Sequence, residues 1–143
     1  MPAEETLIKR TMPNSLEAEQ SLIGSMIMDR DAILVASELL VKEDFYHQQY
    51  GTLFEAMVDL FNNREPVDLV TLQNKLKEMN VPPEISSLEY VRDLVDAVPT
   101  SANAKYYAEI VKDKAMLRRM IRTTEEIAND CYQASETTTV LLE

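Results

Sequence analysis

At 143 residues the chain has the length of one domain with one core, and a composition of 45% apolar residues with only 2 glycines and no tryptophan favours helices. With 25 acidic against 14 basic residues the formal charge is −11, so the surface repels phosphate backbones unless a local basic patch overrides it. A single cysteine, Cys131, and a single histidine, His47, exclude an internal disulfide and a structural zinc cluster. The longest apolar run, Ala32 to Ala36, is too short for a bilayer and the start lacks an export signal, so the expected location is cytoplasmic, without a membrane partner.

Residues 1–13 are polar and aperiodic and read as a disordered arm. Asn14 then offers a cap with Glu17 three residues on, opening a helix with Leu16, Ala18, Leu22, Ile23, Met26 and Ile27 inward and Glu17, Glu19 and Gln20 on the wet side. Asp29-Arg30-Asp31 breaks it and starts a second helix carrying Ala32, Ile33, Ala36, Leu39 and Leu40. Glu43 to Tyr46 reads as a turn whose aromatics plug the core, and Tyr50, Leu53, Phe54, Met57, Val58 and Phe61 form a third, deeply buried helix. Asn62 and Asn63, tolerant of left-handed geometry, end it before Pro66.

Asp68 caps a helix with Leu69, Leu72, Leu76 and Met79 inward, and Val81-Pro82-Pro83 stops it in an irregular loop. Ser86 and Glu89 fit a capping box for a helix with Leu88, Val91, Leu94, Val95 and Val98 inward, closed by Pro99. From a cap at Thr100 or Ser101 the last element runs to about Cys131 without Gly or Pro, roughly 45 Å of helix, longer than the short helices can cover. It carries two apolar stripes: a near-heptad seam of Tyr107, Ile110, Leu117, Ile121, Ala128 and Cys131, and a smaller stripe of Ala104, Ala108, Val111 and Ala115. Glu136 to Glu143 reads as the first turn of a returning helix. The expected fold is all-α: a compact head over residues 14–100, then residues 101–143 as the first arm of a helical hairpin with its second helix truncated.

No catalytic, metal-binding or cofactor-binding residues emerge. Gly24 and Gly51 are too far apart for a phosphate loop, His47 lacks a nucleophile and an orienting partner, and Glu17/Glu19 are adequately explained by a helix's first turn. The one reversal of charge is Lys112, Lys114, Arg118, Arg119 and Arg122, in which Lys114, Arg118 and Arg122 align at four-residue steps. A solvated face, an acidic protein partner and phosphates all remain open for it. A helix-turn-helix-like DNA-binding regulatory domain is the alternative reading of a small helical chain, disfavoured by the acidic surface.

Five segments in order resemble the N-terminal domain of the bacterial replicative DNA helicase (DnaB) family: Pro13 to Ser21 with Ile23 to Met26; Asp44-Phe45-Tyr46; Pro66 to Leu72; Val98 to Asn103 with Tyr107-Ala108; and Leu117 to Arg122. Ser86-Ser87 depart from the family's usual glycine pair. The resemblance implies a collar of paired subunits, three dimers on a hexameric ring, with Tyr107, Ile110, Leu117, Ile121 and Ala128 pairing subunits. It implies docking of the primase C-terminal domain on Tyr90, Ile121 and Ile127, for which core packing is the competing reading, and contact with a helicase loader. It also implies a parent enzyme that unwinds DNA with ATP and magnesium held in a motor domain absent from this fragment, leaving the fragment non-catalytic and free of cofactors.

Overall fold

A computed structural model describes residues 11–98 and 100–134. The element order is α1 (Leu16–Met28), α2 (Arg30–Leu39), a 3₁₀ turn (Lys42–Asp44), α3 (Gln48–Asn62), α4 (Leu69–Glu78), α5 (Pro83–Ser86), α6 (Leu88–Asp96) and α7 (Ala104–Gln133), with no strand among the described residues. The all-α expectation holds. The expected arm over residues 1–13 lies mostly, and the returning helix from Glu136 wholly, outside the described residues.

Local chemistry sets the boundaries. Ser15, not Asn14, caps α1 by accepting from the Ala18 amide at 3.2 Å, while the Asn14 side chain donates to the Met12 carbonyl. Asp29 ends α1 and caps α2 through the Asp31 amide, and Asp68 caps α4 reciprocally with Thr71. The left-handed residue after α3 is Arg64 (φ 61), not an asparagine. The main chain there is held by bonds from the Arg64 amide to the Phe61 carbonyl and from the Glu65 amide to the Leu60 carbonyl. Asn80 (φ 59) likewise ends α4 before the prolines are reached. Pro83 then opens the short turn of α5 where a loop was expected, because proline fits the first position of a helix. Ser87 rather than Ser86 caps α6.

α1 is the central helix, in contact with α2, α3, α6 and α7. Leu22, Ile23 and Met26 on it are fully enclosed. Gly24 lets α6 approach closely: a Cβ there would stand 2.6 Å from the Leu94 carbonyl oxygen and 2.5 Å from Val98 Cγ2. Leu53 and Met57 of α3, Leu72 and Leu76 of α4 and Val91 of α6 close the core around it. α7 enters this core with Ala104, Ala108, Val111 and Ala115, residues small enough for its backbone to lie close on α1 and α2. The smaller of its two stripes therefore faces inward.

Candidate interaction surface on the long helix

α7 is 30 residues long, and residues 122–133 are all exposed. At about 100° per residue, Leu117 stands half a revolution from Ala108. The seam thus runs along a flank of the rod, turned away from the core at Leu117. Leu117 is 44% exposed and Ile127 59%; Ala128 and Cys131 are exposed, while Tyr107, Ile110 and Ile121 are half-buried. Tyr107 and Ile110 pack against the edge of the core. Past them, Leu117, Met120, Ile121 and Thr124 line an open depression of ≈350 Å³ with Pro13 and Glu125. Tyr106, Met116, Met120 and Tyr132 are also exposed. These four were not singled out from sequence, although Tyr106, Met120 and Tyr132 fall on or beside the seam's own period.

Of the docking candidates, Ile121 lies on this seam and Ile127 on an adjoining side of the same rod, whereas Tyr90 sits on α6, half-buried against the core. The neighbouring Tyr50 hydroxyl accepts from Gln20 Nε2 at 2.9 Å. Burial, and then the neighbouring Tyr50, raise the Tyr90 pKa well above the usual phenol value.

The basic stripe divides. Lys114 is half-buried, with no charged partner among the described residues, and Arg122 is exposed. Arg118 departs from the expectation of an outward contact: it is 3% exposed, donating to the Pro13 carbonyl at 2.8 Å and the Asp44 carbonyl at 2.7 Å. The cause is Asp44, whose fully buried carboxylate pairs with Arg119 and with Lys112 at 3.5 Å and accepts from the Val41 amide at 2.9 Å. This knot ties the rod to the head where the rod leaves it. A second buried carboxylate, Glu19, accepts from the Tyr46 and His47 amides at 3.0 and 3.1 Å and meets His47 Nδ1 at 3.1 Å. Glu19 thus leaves the wet side assigned to it, because unpaired amides ahead of α3 demand an acceptor. Neither carboxylate was singled out from sequence for such a role.

No helix among the described residues is long and apolar enough to cross a membrane, and none of their acidic, histidine or cysteine side chains cluster as metal ligands. Gly24 and Gly51 lie inside helices, facing neighbouring backbone. They supply no loop for nucleotide phosphates.

Residues 11–113 match the family model described as the DnaB-like helicase N terminal domain. The chain is 43% identical to the replicative DNA helicase DnaB of Geobacillus stearothermophilus, over 97% of this chain and 31% of that protein. It is 40% identical to the replicative DNA helicase DnaC of Bacillus subtilis, over 90% of this chain and 28% of that protein. It therefore spans about a third of the length of such relatives. Among solved structures, the N-terminal domain of the Mycobacterium tuberculosis DnaB helicase superposes with a TM-score of 0.86 at 36% identity, covering 92% of this chain and 94% of that one. The N-terminal domain of the Helicobacter pylori DnaB helicase, reported with its interactions with primase, gives a TM-score of 0.69 at 19% identity, over 80% of this chain and 89% of that one. At that identity the likeness is one of fold.

Proposed function

The chain belongs to the DnaB-like helicase N-terminal domain family, and from that premise we propose that it is the collar of a replicative helicase, pairing subunits and docking primase without catalysing a reaction itself. The observation that carries this reading is the rod itself: one stripe of α7 packs on the head, and away from that stripe Leu117, Met120 and Ile127 leave large apolar side chains exposed. Apolar seams of this kind gain stability by meeting another helix. Pairing in a dimer, and three dimers in a ring, are the assemblies that the family membership suggests.

Unwinding by ATP hydrolysis, contact with DNA, and the sites for ATP and magnesium are assigned to the remainder of a longer parent, working in the cytoplasm, while a helicase loader is a further partner for the collar. The residues here do not fit a nucleotide. Recruitment of primase is then binding energy spent on geometry, concentrated in a few apolar anchors. A DNA-binding role gains nothing from the fold, since Arg118, Arg119 and Lys112 are turned to Asp44 and Pro13.

Calorimetric titration of the chain with the C-terminal domain of the cognate primase tests the proposal. Ile121→Asp is expected to weaken binding at least about tenfold, by placing a charge on an apolar contact, while the helical circular dichroism signal is retained. Unchanged affinity with an intact fold would remove the seam from the docking surface.

A further inference from the structure

We propose that the cavity between the 3₁₀ turn, the first turns of α3 and the middle of α7 receives an acidic peptide segment of a partner protein, holding a carboxylate at Arg122 and Lys42 and an apolar side chain on Phe45 and Tyr46. The cavity measures ≈560 Å³ and is lined by these four residues together with Gly51 and Arg118, among others. Gly51 lets the 3₁₀ turn, with Lys42 and Phe45, pack directly on α3 at one edge of it. A Cβ there would stand 2.9 Å from the Lys42 carbonyl oxygen and 3.5 Å from Phe45 Cβ.

Three cations, Lys42, Arg118 and Arg122, stand against one carboxylate, Glu43, in the lining. Arg118 donates its hydrogen bonds to neutral carbonyls, and the Asp44 carboxylate beside it is already shared by Arg119 and Lys112. One turn further, Arg122 has no hydrogen-bond or ion-pair partner among the described residues. Burial lowers the Arg118 pKa; Glu19 and Asp44 oppose the shift and the repulsion from Arg122 adds to it. Lys42 has only an exposed partner, Glu55 at 3.4 Å, which water or a ligand readily displaces. A carboxylate between Arg122 and Lys42 meets one unpaired cation and one whose exposed partner it can replace.

Phosphate or nucleic acid fits less well. The Tyr46 and His47 amides ahead of α3 are both taken by Glu19. No amide cradle for a phosphate remains there. A singly charged carboxylate with an apolar neighbour matches both the cations and the aromatic floor, where Tyr46 already carries the Arg118 guanidinium at 5.4 Å from its ring.

The test is an amide-shift titration of the ¹⁵N-labelled chain with a capped acidic peptide alternating glutamate with leucine and phenylalanine, with its glutamine counterpart, and with inorganic phosphate. The expected result is saturable shifts over residues 42–52 from the acidic peptide alone, weakened about tenfold or more by Arg122→Gln and also weakened by Lys42→Gln. Both side chains are exposed, so the helical signal stays constant. Equal shifts from the glutamine peptide, equal shifts from phosphate, or shifts confined to the rod at Leu117 and Ile127 would each overturn the assignment.

Discussion

Tyr90 shows how a single side chain reads differently once its neighbours are known. From sequence it is both a docking candidate and a core candidate; in the fold it lies half-buried against the core, and its proton is held above the ordinary phenol range, chiefly by burial. The raised value makes a stability statement: its contribution is fully present below about pH 10, and is lost as alkali strips the unfolded chain of a proton the folded chain keeps. Urea unfolding followed from neutral pH to about pH 11 should therefore show a steeper alkaline fall for the wild type than for Tyr90→Phe. Parallel slopes would mean that the hydroxyl faces water. The buried carboxylates were less legible. Glu19 stands beside Glu17 in the opening turn of α1, where acidic residues are expected anyway, and what buries it arrives 27 and 28 residues later as the Tyr46 and His47 amides. Asp44 and Arg118 meet across a separation of 74 residues. Local periodicity contains no trace of such pairs.

Among the elements, those whose boundaries are local were readable and those fixed by distant packing were not. Asp29 and Asp68 cap helices because their side chains reach amides two and three residues on, a spacing visible in any sequence. The left-handed Arg64 was not, since its cost is borne by the bonds from the Arg64 and Glu65 amides back to Phe61 and Leu60. Which stripe of α7 turns inward was also hidden: both are apolar, and only the closeness of α1 and α2 selects the alanines. The crossing of α1 with α6 makes the same point for a glycine. Gly24→Ala would improve helix propensity by roughly 1 kcal/mol in an open site, yet its Cβ meets the Leu94 carbonyl oxygen at 2.6 Å, a backbone atom that cannot rotate away. Overpacking of this kind costs about 1–3 kcal/mol, so the melting temperature should fall. A rise would mean that α6 slides aside freely.

At the scale of the whole molecule, the rod is the part that the head cannot account for. Its last inward side chain is Arg118, and residues 122–133 add about 18 Å of exposed helix. An exposed helix polar on every side needs no partner; this one carries Met120, Ile127 and Tyr132 in the open. Two substitutions of the same kind on different faces separate stability from assembly. Leu117→Asp places its charge on the open seam, where surface changes usually stay within about 0.5 kcal/mol, so melting should hold. Val111→Asp buries an unpaired carboxylate at a fully enclosed position, a change costing several kcal/mol, so the head should unfold. In sedimentation across a concentration series, a wild-type chain that pairs through its seam should move from heavier to lighter species on dilution, and Leu117→Asp should remain light throughout while keeping its helical signal. If Leu117→Asp associates as the wild type does, the rod's outer face is not what joins the subunits.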